Sequence, residues 1–167
     1  AEITRFPASS ERLSSVALSP DGRSALVGAD GAISLWNLAT GEEIHRLAGS
    51  TGKLLTIAYA ADGQSALSAG EDGTILAWNL ETGQEKWRRS LAQTDIWTLA
   101  FSADGKLALT GGENHNVILW DLATGQELRH FNGHQDAVYA TAISPDNTTI
   151  LTGSADRRGI LWDLATG

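Results

Sequence analysis

Cysteine and methionine are both absent from the 167 residues, and proline occurs only three times. Without thiols there is no disulfide framework, no thiolate nucleophile and no soft metal site. The missing Met fits a chain that has lost its initiator or one cut from something longer. Basic residues are also scarce: 12 Lys and Arg face 20 Asp and Glu, for a formal charge of −8 and an isoelectric point near 4.8. Nucleic-acid affinity comes largely from cations that neutralise phosphates, so no nucleic-acid partner is expected and basic peptides are the favoured charged partners. No apolar run of about 18 residues could span a membrane, and Ala1-Glu2-Ile3-Thr4-Arg5 lacks the apolar core of a signal peptide. The expectation is a soluble, cytoplasmic chain with no membrane partner.

What is present is repetition. Leu35-Trp36-Asn37-Leu38-Ala39-Thr40-Gly41 returns as Ala77-Trp78-Asn79-Leu80-Glu81-Thr82-Gly83, then as Leu-Trp-Asp-Leu-Ala-Thr-Gly at 119–125 and 161–167. The tryptophans Trp36, Trp78, Trp120 and Trp162 mark a period of 42 residues, the scale of stacked supersecondary units. A turn signal repeats alongside: Ser19-Pro20-Asp21-Gly22, Ala61-Asp62-Gly63, Ser102-Ala103-Asp104-Gly105 and Ser144-Pro145-Asp146-Asn147. Asp21 and Asp62 are one residue short of the period, which places a deletion near Val27-Gly28.

Between these landmarks lie short runs rich in β-branched and aromatic residues, with no helical stretch. Four strands per period predict an all-β array of β-propeller blades, in units of about 8–49, 50–91, 92–133 and 134–167. The fourth unit carries Gly133-His134, Ser144-Pro145-Asp146, Thr152 through Asp156, and Leu161-Trp162-Asp163. On these motifs, repeated at fixed offsets along the whole chain, the sequence resembles the WD40 repeat family.

That resemblance implies a buried tetrad of His134, Thr152, Asp156 and Trp162 that ties three strands together. The same trio of hydroxyl, imidazole and carboxylate has the composition of a nucleophile, base and orienting acid, but the family places it beneath the surface. Other units keep only Ser68, Asp72 and Trp78, or Thr110, Asn114 and Trp120, or Asp30 and Trp36. Their histidine positions hold Ser50, Ala92 and Ser9. Such blades are expected to be looser, since a stranded buried hydrogen-bonding group costs about 1–3 kcal/mol.

The resemblance also implies a partner-binding rim around the central channel. The residues just after the first apolar position of each inner strand are Ser14, Leu55, Trp97 and Tyr139. Those two places earlier are Arg12, Lys53, Asp95 and Ala137, and those just before the turn acid are Ala29, Glu71, Glu113 and Ala155. Trp97 and Tyr139 are the natural aromatic anchors. Asp95, Glu71 and Glu113 beside Trp97 could receive an Arg or Lys side chain, or could form a solvated acidic edge with Trp97 packed along a neighbouring blade. Trp87, where other outer strands place His45 or Arg129, is either an exposed docking residue or the mark of a strand slipped by one residue.

Glu2-Ile3-Thr4-Arg5-Phe6 matches the outer strand Glu127-Leu128-Arg129-His130-Phe131, so residues 1–7 are expected to complete the last unit by strand exchange. Three closures remain open at this point: two chains forming an eight-bladed homodimeric ring, which is favoured, a piece of a longer array, or a four-bladed ring. The expected function is a non-enzymatic scaffold for protein or peptide binding. The alternative is a structural array whose partner is itself. No cofactor is expected: Gly49 through Leu54 lacks the spacing of a phosphate loop, and His45, His115, His130 and His134 lack metal-site spacing.

Overall fold

A computed structural model describes residues 12–29, 31–49, 52–91 and 94–167. The proposed exchange strand at 1–7 lies outside the described residues, as do Ser9, Asp30, Ser50 and Ala92. Among the described residues fifteen strands form four antiparallel sheets, each built in chain order. The first holds β1 (Leu13–Leu18), β2 (Ser24–Ala29), β3 (Ala32–Asn37) and β4 (Glu43–Ala48). The second holds β5 (Leu54–Tyr59), β6 (Ser65–Gly70), β7 (Thr74–Asn79) and β8 (Gln84–Ser90). The third holds β9 (Ile96–Phe101), β10 (Leu107–Gly112), β11 (Val117–Asp121) and β12 (Glu127–Phe131). The last has three described strands, β13 (Val138–Ile143), β14 (Thr149–Ser154) and β15 (Gly159–Asp163).

The repeated turn residues each have a task. In the first hairpin turn Ser19 donates to Asp21 at 2.6 Å, as Ser102 does to Asp104, and the chain then needs a left-handed residue. Gly22, Gly63 and Gly105 supply it at φ 68°, 65° and 69°, and Asn147 at φ 57°. After each of the four repeating tryptophans an Asn or Asp folds back on its own backbone: the Asn37 carboxamide oxygen accepts from the amides of Ala39 and Thr40, and the Asp163 carboxylate accepts from the Thr166 amide. This side-chain turn is the reason the Trp-Asn/Asp-Leu-X-Thr-Gly motif repeats.

Neighbouring sheets pack through their inner strands, β1 on β5, β5 on β9 and β9 on β13. Three apolar clusters fill the seams. The seam between the first two blades joins Leu26 and Leu35 to Leu54, Ile57 and Trp78. The next joins Leu67 and Ile75 to Ile96 and Trp120, and the third joins Leu109 and Leu119 to Val138 and Ile150. At the free ends Leu13, Val16 and Leu18 of the first blade, and Leu151 and Leu161 of the last, are exposed. The described residues therefore leave these side chains of the first and last blades uncovered.

Trp87 departs from both sequence expectations. It pairs with Ala77 just as His45 pairs with Leu35 and Arg129 with Leu119, so the strand has not slipped. It is nevertheless buried, because the third blade covers it and its indole donates to the Leu122 carbonyl at 2.8 Å. The same position is used at the other seams, where His45 Nε2 lies 2.9 Å from the Glu81 carbonyl and Arg129 donates to the carbonyls of Ala165 and Thr166.

Candidate functional site

Each inner strand begins with a β-bulge, and the bulge places the rim. Leu13 pairs with Ala29 and Ser15 with Gly28, which leaves Ser14 as the extra residue. Leu55, Trp97 and Tyr139 are the extra residues of β5, β9 and β13 in the same way. A bulge bends its strand and re-aims a side chain, so a periodic distortion turns these four residues away from the seams. Nothing in their residue types announces it, since they range from Ser to Trp.

The structure brings most of the predicted rim residues together in overlapping groups. Arg12, Ser14, Lys53 and Leu55 share one open hollow between the first two blades. Lys53, Leu55, Glu71, Asp95 and Trp97 line a second, of about 280 Å³, between the second and third. Trp97 then leans on Tyr139 of the fourth blade, with ring centroids 4.7 Å apart and planes tilted by 59°. The two residues are 39% and 50% exposed, so each keeps open surface after this contact. Within the second hollow Lys53 Nζ meets Glu71 Oε1 at 2.8 Å. Glu113 is tied to the group through its backbone, whose amide donates to the Asp95 carbonyl at 3.0 Å. Partial burial pushes the Asp95 carboxyl up from its ordinary value, Glu113 and Glu71 add to the rise by repulsion, and Lys53 opposes it.

The tetrad residues also meet. His134 Nδ1 lies 2.8 Å from Asp156 Oδ2 and Nε2 lies 2.7 Å from Thr152 Oγ1, while the Trp162 indole donates to the same hydroxyl oxygen at 2.9 Å. One assignment satisfies every group: Trp162 donates to Thr152, Thr152 to His134 Nε2, and His134 Nδ1–H to Asp156. Burial pushes the Asp156 carboxyl up, but the His134 bond and the amides of Gln135 and Arg158 outweigh it and hold the value at about 2. The Thr152 oxygen is buried and already occupied by two ring partners, which leaves a substrate no approach. Gly133 is small for a reason here, because a Cβ on it would lie 2.7 Å from the Trp162 ring.

Two of the incomplete tetrads keep the bond from tryptophan to hydroxyl. Trp78 donates to Ser68 and Trp120 to Thr110, each at 2.9 Å. In the first blade Val27 pairs across from Ser34, as Thr152 does from Ile160, so a side chain without oxygen stands at the hydroxyl position. Asp72 and Asn114 retain the turn role of Asp156, accepting from the amides of Thr74 and Asn116. No group of three or more metal-ligating side chains gathers among the described residues. No helix among them is long and apolar enough to cross a membrane.

The family model described as WD domain, G-beta repeat matches residues 1–37, 41–79, 86–121 and 125–163. The chain belongs to the WD40 repeat family. Among curated proteins none matches the sequence. The last three matched ranges each begin at or near an outer strand, β4, β8 or β12, and end after the third strand of the following blade. A WD40 repeat therefore straddles two blades, and each covalent unit is divided by a packing seam. WD40 domains generally serve as non-enzymatic scaffolds for protein interactions.

Proposed function

We propose that this chain binds a protein or peptide at its channel rim, and that a cationic side chain of the partner enters between Trp97 and the carboxylates of Asp95, Glu71 and Glu113. The observation that carries the reading is the Trp97–Tyr139 pair, exposed beside an acidic hollow. Large aromatics left open at a rim are the residue type that anchors interfaces, and an indole face with nearby carboxylates attracts Arg or Lys. The net charge of −8 adds longer-range attraction. On this reading the His134 tetrad is a strand clamp, and the chain is not an enzyme.

The test is calorimetric titration with a capped peptide bearing one Arg between glycines, beside the same peptide bearing Gln. Binding of the Arg peptide alone, lost in Trp97→Ala and weakened by salt, is the expected result. Equal heats for both peptides, or binding indifferent to Trp97, would overturn it.

Self-assembly is the second reading, and the uncovered apolar faces of the terminal blades favour it. Propellers close with about four to eight blades, and two four-bladed arcs reach the upper end of that range. In this reading two copies form an eight-bladed ring, with residues 1–7 of each completing the last blade of the other. Light scattering is expected to give twice the 17.7 kDa chain mass; a single-chain mass at working concentration would reject the ring. A self-assembling array with no other partner would keep that mass and ignore both peptides.

A further inference from the structure

We infer that Asn132 is a site of spontaneous modification: its carboxamide cyclises onto the amide nitrogen of Gly133, and the isoaspartate that follows breaks the His134 clamp.

Of the six asparagines Asn132 alone precedes glycine. Glycine puts no Cβ in the way of the carboxamide carbon and leaves the backbone free to turn toward it. The fold then determines whether such a pair is held or loose. In the first two blades the equivalent residues still lie inside the outer strand, where Ala48 pairs with Ala32 and Ser90 with Thr74. In the second blade the next amide, that of Leu91, also donates to the Gly73 carbonyl at 2.9 Å. In the third blade β12 stops at Phe131, opposite Val117, and no ladder pair follows. Asn132 and Gly133 are exposed, and among the described residues neither the Asn132 side chain nor the Gly133 amide has a hydrogen-bond partner. The other asparagines are occupied or shielded. Asn37, Asn79, Asn114 and Asn147 each accept from a backbone amide through Oδ1, and Asn116 precedes the β-branched Val117.

The reaction needs only water. The Gly133 nitrogen, losing its proton, attacks Asn132 Cγ; ammonia leaves and a succinimide ring closes. Water then opens the ring at either of its carbonyls. Opening at Cγ gives aspartate on the original backbone, and opening at the main-chain carbonyl gives isoaspartate, in which the chain runs through Cβ and Cγ. Either product carries a carboxylate in place of the carboxamide, with an NH group exchanged for an oxygen.

Isoaspartate adds a carbon to a segment without slack. Phe131 and His134 are buried on either side of the two residues, and both rings stand edge-on to Trp162, with centroids 5.7 and 6.3 Å from it. Gly133 runs so close to the same indole that an added Cβ would lie 2.7 Å away. One further carbon–carbon bond, about 1.5 Å, must displace a residue that close packing holds in place. Phe131 is fixed in the ladder opposite Val117, so the displacement falls on His134. Its Nδ1 and Nε2 contacts, at 2.8 and 2.7 Å, do not survive a shift of that size.

The test keeps the native chain in mildly alkaline buffer at body temperature for days and follows intact mass, isoaspartate content by enzymatic methyl transfer, and the urea midpoint. The expected result is isoaspartate at Asn132, located by fragment masses, with the midpoint of the modified fraction lowered at least as far as in Thr152→Val, which removes the clamp's shared oxygen. Freshly prepared Asn132→Asp carries the same charge on an unaltered backbone and should keep the native midpoint. No isoaspartate at Asn132 in the folded chain, whatever the same chain forms in urea, would overturn the site. Isoaspartate there with an unchanged midpoint, or an equal loss in Asn132→Asp, would overturn the broken clamp.

Discussion

Trp87 and Arg129 occupy one register position on successive outer strands, opposite Ala77 and Leu119, and each donates to a backbone carbonyl in the turn of the following blade. An indole and a guanidinium thus perform one task, a bond from outer strand to neighbouring turn. Arg89 supplements Trp87 by donating to the carbonyls of Thr124 and Gly125.

Replacing Trp87 by Ala removes a buried ring and leaves the Leu122 carbonyl without that donor. The expected loss is about 3–5 kcal/mol, read as a lower urea midpoint. Arg129→Ala, at the more exposed seam, should cost less than half as much.

Thr152 links two rings, so Thr152→Val strands the Trp162 indole and His134 Nε2 together. A loss of about 2–4 kcal/mol is expected by denaturant unfolding. Thr152→Ser restores the oxygen and should recover most of it, which distinguishes the hydrogen bonds from packing of the methyl group.

The Asp156 carboxyl is held at about 2, below its ordinary value of 3.8. A depressed folded value means that the contribution is fully present above about pH 4 and is lost as pH falls through about 2. Asp156→Asn should flatten that part of the stability profile while leaving the slope above pH 5 unchanged, as followed by tryptophan fluorescence across an acid titration.

Gly125 has φ 67°, and a Cβ there would lie 2.7 Å from the Trp87 ring. Gly125→Ala therefore meets both backbone strain and a collision, and a loss of more than about 1 kcal/mol is expected. Gly22 has a similar φ of 68° with open space around it. The same change at Gly22 should cost less, so the difference in melting midpoint isolates the packing share.

The sequence made the repeat legible because turns are local: Asp104, Gly105 and the Asp121 turn need only their immediate neighbours to form. The residues of the His134 tetrad were readable only through the family resemblance, which implies them. Trp87 was not readable, because its burial depends on a blade that begins nine residues later in the chain, and residue type alone could not distinguish an outward ring from a covered one. The bulges at Ser14, Leu55, Trp97 and Tyr139 left no compositional mark either. The rim positions came from family resemblance, and the backbone distortion that presents them came only with the structure.

The four tetrads differ in completeness, and so do the ends of the arc. The last blade carries the full chain of bonds from Trp162 to Asp156 within itself, whereas the first has Val27 at the hydroxyl position; both are uncovered on one face, at Leu151 and Leu161 and at Leu13 and Val16. Middle blades draw support from both sides. The array therefore has a grain: a free chain should unravel from its amino-terminal blade toward its carboxy-terminal one, and whatever seals the first blade sets the lifetime of the whole.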